Sequence, residues 1–319
     1  MFLLTGCGNI SYTFPYNVNS NVSSFNVLAG TGTGKADAFA SDLCVVTEDQ
    51  MGDGSVDMTQ ASAAVLFDVN NREVLYSKNA HERLYPASLT KVMTALVALK
   101  NASLDTVLTA TDSVKINESG AQLCGLKSGD TMTLDQALHI LLMYSANDAA
   151  MLIAENVGGS VDHFVEMMNE RAQKLGMNDT HFVNCCGLDT EGHVTSAYDI
   201  ALMSRELITR YPQIHNYSTI WMENITHTTR RGTEEFGLTN TNKLIRQYPY
   251  ATGLKTGSTS QAKFCVSATA EKDGIELIAV IMAAPDPKGR FADATALLNY
   301  GYAKCSLDRE EEELPLVSV

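Results

Sequence analysis

Pro86 stands directly before Ala87-Ser88-Leu89-Thr90-Lys91 and an apolar run over residues 92–99, and this fixes where a helix has to begin. Proline fits the first turn of a helix and is excluded further in. Residues three apart share a helix face. The Ser88 hydroxyl and the Lys91 amine can therefore meet without help from distant parts of the chain. A serine hydroxyl is a weak nucleophile and needs a base beside it. Lysine serves only if its proton leaves near neutral pH. Moving its pKa from about 10.4 to near 7 takes about 3 units, or about 4 kcal/mol. Burial lowers it, and so does a nearby cation, so the argument asks for a second lysine or arginine at the same place. Ser-x-x-Lys alone also describes an ordinary helix start with a surface lysine, and the pattern recurs at Ser260–Lys263.

Two later motifs give the first one meaning. Ser145-Ala146-Asn147 follows Ser88 by 57 residues, and Lys255-Thr256-Gly257 follows Ser145 by 110. Ser-x-Asn also occurs at Ser24, but upstream of Ser88, so only Ser145 keeps the order. The succession Ser-x-x-Lys, Ser-x-Asn, Lys-Thr-Gly resembles that of the penicillin-binding proteins and active-site serine β-lactamases. Tyr85-Pro86-Ala87-Ser88, Tyr144-Ser145-Ala146-Asn147-Asp148-Ala149, Phe182-Val183-Asn184, Lys288-Gly289-Arg290 and Leu297-Leu298-Asn299-Tyr300-Gly301 narrow the likeness to the D-alanyl-D-alanine carboxypeptidases over residues 58–305.

That resemblance implies an α+β fold, an antiparallel sheet covered by helices as in the serine β-lactamases and D,D-peptidases. The residues agree with it. Residues 61–69 and 73–77 read as strands around an Asn70-Asn71 turn. Thr133-Leu134-Asp135-Gln136 reads as a capping box opening a helix to Met143. Helices are expected over 148–157, between Ser160 and Gly176, and from Ser196 to Arg210. Strands return at 253–257, 263–270 and 275–284, the last two flanking an Asp273-Gly274 hairpin signal, and residues 290–303 read as a closing helix. Strands at both ends with helices between suggest one mixed domain.

The resemblance also implies roles. Ser88 is the acylated nucleophile and Lys91 its base. Ser145 relays a proton to the leaving amine, with Lys255 close to it as the second cation. Asn147 orients Lys91 and the substrate backbone. Thr256, Gly257 and Ser258 hold the peptide along a strand edge, the backbone N–H groups of Ser88 and Ser258 form the oxyanion hole, and Arg290 holds the terminal carboxylate. The expected substrate is a peptidoglycan stem peptide ending in D-Ala-D-Ala, the expected covalent inhibitors are β-lactams, and the mechanism calls for no metal or organic cofactor. A D,D-endopeptidase, a β-lactamase and a non-catalytic sensor of β-lactam or wall peptide use the same motifs. No Glu-x-x-Leu-Asn segment, which carries the deacylating glutamate of class A β-lactamases, occurs here, and this favours the peptidases.

The formal net charge of −14 argues against nucleic-acid binding, which needs a basic face. None of the seven cysteines, at 7, 44, 124, 185, 186, 265 and 305, makes a Cys-x-x-Cys pair, so redox-motif and zinc readings are poor. Cys185-Cys186 reads as a pair of buried free thiols. Leu4-Thr5-Gly6-Cys7 resembles the cleavage box of bacterial lipoproteins, which makes Cys7 a candidate for lipidation, although only six residues precede it and no basic n-region does. The rest of 1–57 is rich in Asn, Ser, Gly and Thr and reads as a flexible tether. Residues 306–319 read as an acidic tail with no second β-rich domain, unsuited to an anionic membrane surface. Membrane contact is therefore expected only through the N-terminus, on the outer face of the bacterial cytoplasmic membrane, or else the enzyme is secreted.

Overall fold

The computed structural model describes residues 49–52, 54, 56 and 60–313, with side chains to 307. In chain order come β1 (Ala63–Asp68), β2 (Glu73–Lys78), α1 (Thr90–Asn101), β3 (Val107–Thr109), β4 (Thr131–Thr133), α2 (Leu134–His139), α3 (Asn147–Gly158), α4 (Val161–Lys174), α5 (Ala197–Arg210), α6 (His215–Ser218), β5 (Met222–Thr229), β6 (Gly232–Thr239), α7 (Leu244–Gln247), β7 (Ala251–Thr259), β8 (Lys263–Lys272), β9 (Ile275–Ala284) and α8 (Gly289–Glu313). Strands from both ends of the chain form one antiparallel sheet in the order β2-β1-β9-β8-β7.

Successive residues of a strand point to opposite faces, and here both faces are buried. Ala63, Val65 and Phe67 of β1 join Ile278, Val280 and Met282 of β9 in the core shared with the central helices. Ala64 and Leu66 join Leu277, Ala279 and Ile281 under α8. Val65 sits opposite Val280 and Leu66 opposite Ala279, so one register serves both layers. The β1–β2 turn closes where Asp68 Oδ1 accepts the N–H groups of Asn70 and Asn71 at 2.9 and 3.0 Å. The capping box stands as read: Thr133 Oγ1 accepts the Gln136 N–H at 3.2 Å and Gln136 Oε1 accepts the Thr133 N–H at 2.8 Å.

Two features go beyond the sequence reading. A second sheet, order β3-β4-β5-β6, lies where no strands were expected. The β5–β6 hairpin turns at Arg230-Arg231, with Thr229 paired to Gly232, so it lacks the Asn-Gly or Asp-Gly signal. Its strands are largely exposed and polar, and buried Leu108, Met132, Ile225 and Leu238, with half-buried Phe236 beside them, carry this sheet into the main core. The closing helix also runs past residue 303 to Glu313. After Gly301 no Gly or Pro interrupts it until Pro315, and Lys, Leu, Arg and Glu are good helix formers. Cys7 and nearly all of the expected tether lie outside the described residues.

Candidate active site

Ser88 sits in a 3-10 turn, Ala87–Leu89, that runs directly into α1. The turn begins with Ala87 at φ 47°, a left-handed conformation that costs a non-glycine residue of order 1–3 kcal/mol. Its surroundings hold it there. Thr90 Oγ1 donates to the Ala87 carbonyl at 2.8 Å. Gly187 packs so closely that a Cβ on it would lie 1.8 Å from the Ala87 oxygen, and a Cβ on Gly257 would lie 3.0 Å from the Ser88 nitrogen. His193, fully buried, completes the brace. Its Nδ1 accepts the Val183 N–H at 2.9 Å, so the ring proton is on Nε2, which donates to Thr90 Oγ1 at 2.8 Å. Burial, then the neighbouring His181, pushes His193 down to about 4, which keeps the ring neutral as this network requires.

Lys91 is wholly buried. Its Nζ donates to Ser88 Oγ at 2.9 Å, Asn147 Oδ1 at 2.6 Å and the Cys186 carbonyl at 2.6 Å. Burial lowers its pKa to about 8, against the opposing pull of Cys186, Cys185 and Asp148. Asn147 opens α3, next to Asp148, whose carboxylate accepts the N–H groups of Cys124, Gly125 and Leu126 at 3.0, 2.8 and 3.0 Å. Gln122 adds its carbonyl to the Asn147 N–H at 2.7 Å. The loop before β4 is thus tied to the end of α3 that carries Asn147.

Ser145 follows a π-helical turn, Ile140–Tyr144, that continues α2. Its N–H reaches back to the Ile140 carbonyl at 3.0 Å, and its backbone is left-handed, φ 68° and ψ 26°. π-turns inside helices occur often at functional sites. Opposite stands β7, the edge strand of the main sheet. Lys255 on it is fully buried, with Nζ donating to the Thr256 carbonyl at 2.8 Å. Burial first, then the cations of Lys91 and Arg290, holds its pKa well below the ordinary lysine value. Thr256 Oγ1 donates to Thr241 Oγ1 at 2.7 Å, and the Thr241 N–H reaches the Met143 carbonyl at 3.0 Å. Arg290, at the start of α8, donates from Nη1 to the Gly257 and Cys265 carbonyls at 2.9 and 3.2 Å and lies against the rings of Phe291 and Phe264.

Ser88, Ser145, Asn147, Thr256, Gly257, Ser258 and Arg290 line one cleft of about 420 Å³, and Lys91 and Lys255 lie buried among them. Ser88, Lys91 and Asn147 are joined directly. The expected Lys255–Ser145 contact is not among the hydrogen bonds of the described residues. The sequence argument asked for a second cation to lower Lys91, whereas in the structure burial leads and the mutual repulsion falls on Lys255. The rival Ser260–Lys263 pair belongs to the β7–β8 hairpin, where Ser260 Oγ donates to Asp189 at 3.3 Å. The sequence reading missed His193, Gly187 and the Cys186 carbonyl. Only the Gly after Cys185-Cys186 offered a signal, since a carbonyl contact and a buried imidazole carry no local pattern.

Residues 50–286 match the family model described as D-alanyl-D-alanine carboxypeptidase. The chain belongs to that family. It is 38% identical over 250 residues to the D-alanyl-D-alanine carboxypeptidase DacF of Bacillus subtilis, a match covering 77% of this chain and 63% of the relative. It is 36% identical over 255 residues to DacD of Escherichia coli, covering 76% and 63%. The chain thus spans just under two thirds of the length of these curated relatives. Among solved structures, the Streptomyces DD-transpeptidase superposes with a TM-score of 0.73 at 28% identity, covering 78% of this chain and 99% of that one. A penicillin-binding protein of Listeria monocytogenes in its ampicillin-bound form gives 0.66 at 32%, covering 77% and 99%.

Proposed function

We propose that the chain is a serine D-alanyl-D-alanine carboxypeptidase that removes the terminal D-Ala of peptidoglycan stem peptides through an acyl-enzyme, and that β-lactams acylate the same serine. One observation carries this reading. Of the three groups that accept from Lys91, the Asn147 and Cys186 oxygens can only accept, whereas the Ser88 hydroxyl can also donate. When Lys91 is neutral, its lone pair is left with the Ser88 proton as its partner.

The steps follow from that arrangement. Neutral Lys91 takes the proton as Ser88 Oγ attacks the carbonyl of the penultimate D-alanine. The N–H groups of Ser88 and Ser258 receive the developing oxyanion, a fixed-dipole stabilisation worth about 3 kcal/mol per donor in comparable sites. Ser145 passes a proton to the leaving amine as the bond to terminal D-Ala breaks, helped by the depressed Lys255. Asn147, whose Oδ1 is committed to Lys91, has its amide donors left for the substrate backbone. Thr256, Gly257 and Ser258 take the peptide along the free edge of β7, and Arg290 and Thr256 meet its carboxylate. Water then releases the shortened peptide.

A peptidoglycan substrate places the enzyme outside the cytoplasm. Among the described residues no helix is long and apolar enough to cross a membrane. A lipid on Cys7 is the proposed anchor, supported by the Leu-x-Gly-Cys pattern.

The test is D-alanine release from a D-Ala-D-Ala pentapeptide, with fluorescent-penicillin labelling in parallel. Ser88→Ala is expected to abolish both. Labelling that persists in Ser88→Ala, or maps to Ser260, overturns the assignment. A single burst of acylation without turnover on the peptide marks a sensor instead.

A further inference from the structure

Arg290 lines two cavities, and the proposed reaction uses only one of them. The first is the cleft. The second, of about 710 Å³, is lined by the α7 segment and the first three turns of α8. Arg290 is only 9% exposed. Its Nη1 donates to the Gly257 and Cys265 carbonyls, but its buried Nε has no hydrogen-bond partner. A buried donor left without an acceptor is costly, and an oxyanion beside the guanidinium would supply one.

The rest of the lining suits an anion with an apolar body. Lys243 and Lys288 are exposed and, with Arg290, give the second cavity three cations. No carboxylate lines it, although the whole chain carries a formal net charge of −14. The neighbouring Asp286 lies in the field of Lys288, and its Oδ1 is committed to the N–H groups of Lys288 and Gly289 at 2.8 and 2.9 Å. Phe291, Ala292 and Ala296 supply apolar surface. Ala292 and Ala296 stand one turn apart on one face of α8, and their small, exposed side chains leave a trough between the cations. A mainly apolar cavity with a few convergent charges is the usual form of a small-molecule site. The cations select an anion, the arginine fork suits a planar head of two oxygens, and the trough suits a slender chain. We propose that this cavity binds an alkyl carboxylate, with its chain along Ala292 and Ala296 and its head among Lys243, Lys288 and Arg290, and that its occupancy weakens the cleft's hold on the substrate's own carboxylate.

The coupling follows from sharing. One guanidinium then faces two anions of the same sign, one from each cavity. Each lowers the affinity for the other, and by the same factor. Binding in the second cavity is independent of the proposed reaction, while the coupling rests on Arg290 meeting the peptide carboxylate in the cleft.

The experiment is calorimetric titration of the full chain with octanoate, and with 1-octanol as the uncharged probe of the same length. One octanoate per chain is expected, with octanol bound about tenfold more weakly or worse. The double variant Lys243→Glu, Lys288→Glu should lose about as much affinity for octanoate as octanol does. Ala296→Trp, which fills the trough at an exposed position, should abolish binding while melting like the parent. Saturating octanoate should raise KM for the D-Ala-D-Ala pentapeptide by about fivefold or more and leave kcat unchanged, and Ala296→Trp should remove that rise. The site is overturned if the parent binds no octanoate, if octanol binds as well, or if Ala296→Trp or the double variant binds octanoate as the parent does. Octanoate bound in the parent with KM unchanged overturns the coupling. A chain that binds octanoate but never turns over the peptide overturns the catalytic reading and leaves the site standing.

Discussion

The Lys91 ammonium lies 2.9 Å from Ser88 Oγ, and the two side chains come from one continuous turn of backbone. The proposed nucleophile and base are therefore positioned by local geometry, while everything that tunes Lys91 arrives from elsewhere in the chain. The Asn147 amide comes from α3 and the Cys186 carbonyl from the loop after α4. The burial that lowers Lys91 comes from the helical core as a whole.

Lys91→Arg keeps the charge and most of the packing but offers no group that can be deprotonated. Penicillin labelling and D-alanine release should fall by about 10³-fold, within the range for loss of a general base. Thermal melting should stay near the parent. A variant that acylates at a parental rate would remove Lys91 from the base role.

The pH dependence of acylation has a definite sign. Only neutral Lys91 can take a proton, and its pKa is held at about 8. The labelling rate should climb about tenfold per pH unit below 8 and level off above it. A flat profile between pH 6 and 8 would show that another group is the base.

His193 makes stability depend on acid. Its folded pKa, about 4, lies below its ordinary value of 6.5. Between those values the unfolded chain binds more protons, so stability falls as pH drops through the window, by about 3 kcal/mol in all. Protonation would also oblige Nδ1 to give up the Val183 N–H. In His193→Gln the melting temperature should lose its decline attributable to this window. An unchanged pH profile in that variant would place the acid sensitivity elsewhere.

Gly187→Ala should disable the site from outside it. The new Cβ would meet the Ala87 carbonyl at 1.8 Å on a backbone with φ 88°, and the Ser88 turn would have to move. Gly192→Ala is the control, at φ 80° but with its nearest contact at 3.9 Å. It should cost only the left-handed strain, about 1 kcal/mol. Equal loss of labelling in both variants would show that packing against the Ser88 turn is not the cause.

Cys7→Ser should release the native protein from membranes on fractionation. An unmodified Cys7 in the mature protein, read by mass spectrometry, would rule out the lipid anchor.

The main sheet was legible because its signals are local. Residues 61–69 and 275–284 are apolar runs, and Asp273-Gly274 marks a turn. The second sheet was not, because β5 and β6 bury little and turn on Arg230-Arg231. The site divides the same way. Ser88, Lys91, Ser145, Asn147 and Lys255 stand in short motifs with a readable order. The brace from His193 through Thr90 to Ala87 joins residues about a hundred positions apart, and Cys186 contributes a backbone oxygen that any residue could supply.

An edge strand offers its unpaired backbone to any passing strand, a standing risk of aggregation. In β7 that risk is confined. Residues 253–257 are buried although they lie at the sheet's rim, and exposure begins only at Ser258. The open length is enough to receive the end of a short peptide and too little to seed another sheet. The same covering that shapes the cleft thus lets the protein keep a sticky edge without polymerising through it.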